Sequence, residues 1–125
     1  MSFEMSTPGL TAAHVAFSGK ADAWLRELRR YLTVNRDFIV DYADQNLPGI
    51  RVTKPDATYL IWLDCSELNL KQSPFEFFLK EAKVALSDGG KFGTGNEQFV
   101  RLNFGTSRRL AEQGLNRIRK ALEKI

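Results

Sequence analysis

One segment constrains the fold of this chain more than any other: Lys91 to Gly105, KFGTGNEQFVRLNFG, where a single arginine stands inside an apolar run. Phe99, Val100, Leu102 and Phe104 supply the β-branched and aromatic side chains that suit a strand, and Gly93, Gly95 and Gly105 bound the run with turn residues. Side chains alternate across a strand, so Val100, Leu102 and Phe104 share one face, which should pack a core. Phe99, Arg101 and Asn103 share the other. That face offers a planar, permanently charged guanidinium beside an amide, a pairing suited to holding a carboxylate by two parallel hydrogen bonds. Taken alone, a strand arginine more often just keeps a sheet edge soluble, so the rest of the chain has to decide between the two readings.

Upstream, Thr7 is a plausible N-cap for Pro8 at the first helical position, and Leu10, Ala13, His14 and Phe17 recur at helical spacing until Gly19. A second, long helix is expected from about Ala21 to Asn46, because Trp24, Leu25, Leu28, Tyr31, Leu32, Phe38, Ile39 and Tyr42 fit steps of three and four. Leu47-Pro48-Gly49 ends it. Ile50 to Thr53 reads as a short strand and Thr58 to Asp64 as a central one, since Tyr59 to Leu63 form a continuous apolar run. Ser73 caps a helix starting at Pro74, with Phe75, Phe78, Leu79, Ala82 and Val84 inward. Ala85-Leu86 reads as a short strand and Ser87-Asp88-Gly89-Gly90 as a turn. Ser107 caps the closing helix, with Leu110, Leu115, Ile118 and Leu122 inward. The expected fold class is α+β: a small, mostly antiparallel sheet covered by helices, preceded by a long linking helix.

The 125 residues are enough for one domain and too few for two normal cores. A net charge of +3 is modest, and Arg108, Arg109, Arg117, Arg119, Lys120 and Lys124 read as a solvated helix face rather than a nucleic-acid stripe. No nucleic-acid partner is expected. Neither a membrane-length apolar run nor a signal pattern occurs, so a cytoplasmic protein is expected. Cys65 is the only cysteine, which excludes an internal disulfide, and without a histidine base it reads as a structural thiol. His14, the sole histidine, lacks partners at ligand spacing, so no metal site is expected. Gly89-Gly90 and Gly93-Thr94-Gly95 lack the lysine and hydroxyl of a P-loop and read as hinges. Tyr59 and Trp62 read as core or interface aromatics.

The segments KPDATYLIWLDCSELNL (Lys54 to Leu70), FEFFLKEAKVALSDGGKFG (Phe75 to Gly93) and NEQFVRLNFGTSRRLAEQGLNRIRKAL (Asn96 to Leu122) carry a family resemblance. A less specific match extends back through AWLRELRRYLTVNRDFI. Together they resemble the C-terminal small domain of fold-type I pyridoxal-phosphate enzymes, in the cystathionine β-lyase-like (MalY/PatB-type) branch of the class I and II aminotransferases. The resemblance implies that Arg101 binds the substrate α-carboxylate, with Asn103 beside it, and that the loop ending at Phe92 and Gly93 lies near the active-site entrance. It also implies an enzyme that is a homodimer at full length, with pyridoxal phosphate as electron sink for β-elimination of a thiol or for transamination.

The family's cofactor lysine, in a Ser-Lys-x-Phe-Asn context, has no counterpart here, and neither do the large domain's groups for the pyridine nitrogen and the phosphate. The expectation is therefore a single small domain over residues 1–125, with residues 1–20 a remnant of the segment joining the large domain. Such a chain would bind no cofactor and be inactive alone, and its long helix and N-terminal segment would leave apolar surface exposed. The alternatives are a separately encoded small domain that associates with a large-domain partner or with itself, and a stand-alone module binding amino acids or other small carboxylates without chemistry.

Overall fold

The computed structural model describes residues 6–125. Its contacts divide the chain into two compact units, one up to Tyr31 and one from Leu32 onward.

The first unit contains α1 (Thr7–Phe17) and the beginning of α2 (Asp22–Asn46). The cap of α1 lies one residue earlier than expected: the Ser6 hydroxyl accepts from the Gly9 N–H at 3.3 Å, and Thr7 is already helical. No residue of α1 is buried. Leu10 is 62% exposed, Phe17 92% and Trp24 66%, matching the expected exposure of apolar side chains.

The second unit holds a four-stranded, fully antiparallel sheet in the order β1 (Arg51–Thr53), β2 (Leu60–Asp64), β4 (Phe99–Asn103), β3 (Ser87–Asp88). Its register sets Trp62 opposite Arg101 and Leu63 opposite Val100. One face is covered: Ile61 and Leu63 of β2 and Val100 of β4 are fully buried, together with Phe104 just beyond β4. Ile39 and Ala43 of α2, Leu47 just after it, Phe78 beyond α3 (Pro74–Phe77), and Leu115 and Ile118 of α4 (Arg108–Leu122) are further members of this core. Burial of each such side chain contributes about 1.5–3 kcal/mol. The other face carries Leu60, Trp62, Asp64, Phe99, Arg101 and Asn103.

Four expectations shift. β2 is central, but burial alternates along it rather than being continuous, because an antiparallel sheet needs helices on only one face. β3 forms at Ser87–Asp88 instead of Ala85–Leu86; its partners are Arg101 and Val100, and its polar composition carries no strand signal. Around α3 the buried stripe is Pro74, Phe77, Phe78 and Ala82, while Leu79 is 42% exposed. Apolar residues cover more than one side of this segment, so periodicity could not set its phase. Ser73 caps it as expected, accepting from the Glu76 N–H at 3.2 Å. In α4 the inner stripe is Leu115, Ile118, Ala121 and Leu122, and Leu110, out of step with them by five residues, is 54% exposed.

Two side-chain hydrogen bonds tie the second unit together across long sequence separations. The buried Asn35 donates through Nδ2 to the Thr106 carbonyl at 3.0 Å, and the Tyr42 hydroxyl donates to Asn116 Oδ1 at 2.7 Å. The first fixes the loop between β4 and the Ser107 cap of α4, whose hydroxyl accepts from the Leu110 N–H at 3.3 Å.

Candidate carboxylate-binding site

β4 sets Arg101 on the uncovered face of the sheet because Val100 and Phe104, at odd spacing from it, are drawn into the core. Arg101 is half-buried, flanked across the ladder by Trp62 of β2 and Ser87 of β3. After β3 the chain makes a tight helical turn, Gly89–Phe92, started by the Asp88 carboxylate, which accepts from the Gly90 N–H at 3.1 Å. This turn lays the Phe92 ring on the guanidinium, with Arg101 Cζ 4.2 Å from the ring centroid. Trp62 meets Phe92 edge-on at 5.5 Å and Phe99 edge-on at 6.0 Å. The arginine therefore sits in an aromatic surround.

The turn depends on Gly89. A Cβ there would lie 2.3 Å from the Asn96 carbonyl oxygen and 2.4 Å from that of Phe99, closer than real Cβ contacts come. Gly93, next after the turn, adopts φ 123°, a conformation that L side chains rarely take.

The guanidinium lacks an internal counter-charge: among the described residues no carboxylate pairs with it. Its Nε is buried with no hydrogen-bond partner. A buried donor left unmade costs about 1–3 kcal/mol, and the terminal nitrogens, which are not among the buried atoms lacking a partner, are the ones an incoming carboxylate can reach. Asn103 lies on the same face about 7 Å along the strand. Its Oδ1 accepts from the Gly105 N–H at 2.9 Å, which bends the chain after β4 and leaves Nδ2 as the amide's donor.

The sequence pattern put Arg101 and Asn103 on one face and the resemblance set Phe92 and Gly93 near the active-site entrance; the structure brings the Phe92 ring onto Arg101, and Trp62, read as a core or interface aromatic, stands opposite Arg101 on the open face. Its signal was the cross-strand register, which needs the pairing and not only the pattern. Tyr59, read as a core or interface aromatic, is half-exposed and so outside the core. Of the basic residues assigned to a solvated face of α4, Arg108 instead stacks on Phe38 at 3.6 Å. A cleft of about 490 Å³ lies elsewhere in the second unit, lined by Leu86, Leu102, Leu110, Lys83 and Arg117 among others and without Arg101. Cys65 is fully buried, and that burial, aided by the Asp64 charge, pushes its thiol pKa up to about 12. It is no nucleophile at neutral pH. Among the described residues no cluster of side chains suits a metal ion, and no helix is long and apolar enough to cross a membrane.

Pyridoxal phosphate needs an amine for imine formation and an anion cradle for its phosphate. The surroundings of Arg101 do not fit it: the side chains placed there are aromatic, hydroxyl and amide, and the lysine nearest in sequence, Lys91, lies over the Phe75 ring at 5.9 Å. They fit a carboxylate.

Residues 1–118 match the family model described as aminotransferase class I and II. The chain belongs to this family. Among curated relatives, it is 41% identical to the cystathionine beta-lyase PatB of Bacillus subtilis over 90% of this chain and 29% of that protein. It is 32% identical to protein MalY of Escherichia coli over 97% of this chain and 32% of that one. Among solved structures it resembles a Corynebacterium diphtheriae protein assigned as a PLP-dependent beta-cystathionase, with TM-score 0.91 and 39% identity over 98% of this chain and 32% of that one. Cystalysin from Treponema denticola, whose structure contains pyridoxal 5′-phosphate, matches with TM-score 0.87 and 25% identity over 98% and 31%. The chain thus spans 29% to 32% of the length of these relatives. The expected α+β architecture with its antiparallel sheet is that of this family.

Proposed function

We propose that this chain is the substrate-carboxylate end of a pyridoxal-phosphate-dependent C–S lyase or aminotransferase, its small domain, with Arg101 as the binder of the α-carboxylate. The observation that carries the reading is the Arg101 guanidinium itself: half-buried, stacked on Phe92, and without a carboxylate partner among the described residues. A charge held in aromatic surroundings without a counter-ion favours an anionic ligand, and a planar guanidinium favours one that accepts two parallel hydrogen bonds. Asn103 Nδ2 is the second donor on the same face.

In the whole enzyme, pyridoxal phosphate would supply the electron sink from groups other than those around Arg101. This chain's part is positional. A carboxylate fixed at Arg101 sets the orientation of the substrate's α-carbon, and orientation of a reacting bond is a large share of catalysis. The names of the curated relatives, cystathionine beta-lyases among them, favour elimination of a thiol from a cysteine conjugate over transamination. The homodimer implied by the resemblance, and the cytoplasmic setting expected from the sequence, belong to the same proposal. The chain by itself, on this reading, binds carboxylates and performs no reaction.

The test is a titration of the isotope-labelled chain with glycine and acetate, using ethylammonium as a control that lacks a carboxylate, in the parent and in Arg101→Ala. Saturable resonance shifts at Trp62 and Phe92 with the two carboxylates, absent with ethylammonium and lost in Arg101→Ala, are expected. Equal shifts in both proteins would sink the assignment.

A further inference from the structure

The guanidinium of Arg101 is not equally accessible on its edges. Nε is buried and has no partner, whereas the terminal nitrogens are not among the buried atoms lacking one. The Phe92 ring covers the group at 4.2 Å. Phe92 is in turn held by the edge of Trp62, which packs on Phe99 as well, and by a turn that begins at a glycine with no room for a Cβ. With Trp62 and Ser87 on the flanking strands, the arginine is enclosed on three sides by groups that do not neutralise it.

We propose that Phe92 is a positioning residue for Arg101: its ring roofs one face of the guanidinium and, with Nε buried, holds the terminal Nη1–Nη2 edge toward an incoming carboxylate. This rests on the reading that Arg101 binds the substrate carboxylate, and adds how that group is aimed. A flexible arginine side chain must be ordered when it pairs with a ligand, and ordering it beforehand removes that cost from binding. Stacking also fixes the guanidinium plane, so a planar carboxylate is received end-on and in that plane. Phe92 suits such a role because it is 44% exposed: a residue with so much of its surface in water adds little to the core, yet its ring is committed to the arginine and to Trp62.

The experiment uses the full 125-residue chain, labelled with ¹⁵N-arginine, and follows the Nε–Hε resonance of Arg101, assigned by its loss in Arg101→Lys. Glycine is titrated into the parent, Phe92→Leu and Phe92→Tyr at constant ionic strength, with the backbone amide spectrum as the check on folding. In the parent the Hε signal is displaced by the ring current of Phe92. In Phe92→Leu it moves to the position of a free arginine, the backbone spectrum away from the turn is kept, and the affinity for glycine falls about threefold to tenfold, as expected when one rotamer-rich side chain must be ordered on binding. Phe92→Tyr restores both. If Phe92→Leu binds glycine as tightly as the parent, the positioning role is wrong while Arg101 as carboxylate binder stands. If the parent shows no Arg101-dependent binding, the carboxylate reading fails and takes this inference with it.

Discussion

Replacing Gly89 by alanine should damage both the fold and the site. The added Cβ would stand 2.3 Å from the Asn96 oxygen and 2.4 Å from the Phe99 oxygen, and both are backbone atoms that cannot swing aside as a side-chain tip would. The Asn96 carbonyl is already engaged, accepting the Phe99 N–H at 3.0 Å. Reaching the shortest tolerable contact requires each carbonyl to retreat by about 0.6–0.7 Å, a displacement that close-packed interiors resist. Overpacking of this kind costs about 1–3 kcal/mol. At about 4 °C per kcal/mol for a chain of this size, the midpoint of thermal unfolding should fall by about 4–12 °C. Gly90→Ala is the internal control, since its Cβ would meet only side-chain atoms, at 3.6 and 3.9 Å, and should leave the midpoint unchanged or slightly raised. Circular dichroism melts of the three proteins decide the matter. A Gly89→Ala midpoint within about 1 °C of the parent would refute the claim that this turn is sterically locked.

Asp64 sets an acid limit. The Ser66 hydroxyl, and then the Ser66 N–H and Arg51, hold its carboxyl below the ordinary value of 3.8. A folded-state pKa below the unfolded one stabilises the chain above the unfolded value, and this stabilisation is lost as pH falls through the folded one. Thermal midpoints should therefore be flat from neutral pH down to about 5 and drop below about 4, and Ser66→Ala should shrink the drop. Cys65, its thiol pushed up to about 12 by burial, should resist a thiol reagent at pH 8 in the native chain and react once the chain is unfolded in urea; stoichiometric labelling of the folded protein would contradict its burial.

The alternation of Phe99 to Phe104 sorted β4 into a core face and an open face by strand geometry, with Val100 and Phe104 buried and Leu102 only partly buried against the core. The helix caps at Ser73 and Ser107 were legible because each hydroxyl stands directly before its helix, whereas at α1 two adjacent hydroxyls competed and Ser6, not Thr7, took the cap. Legibility ended where long-range pairing decides. Ser87 and Asp88 form a strand only because β4 is there to pair with, and nothing in their composition favours it. The phase of the Pro74–Ala82 helical segment was ambiguous because apolar residues lie on more than one of its sides. Trp62 entered the site through its register with Arg101, and the Phe92 ring reached the guanidinium through a turn that no periodicity describes. The role proposed for the arginine came from family resemblance, since a single strand arginine fits a soluble edge equally well.

The central claim is that this chain holds the substrate's carboxylate and not the cofactor. It is tested most directly by adding pyridoxal phosphate to the purified chain, reducing with borohydride, and mapping the trapped lysines by peptide mass. Scattered, substoichiometric labelling is the predicted result; one lysine trapped at full stoichiometry would mean that the chain carries its own cofactor site and would contradict the account.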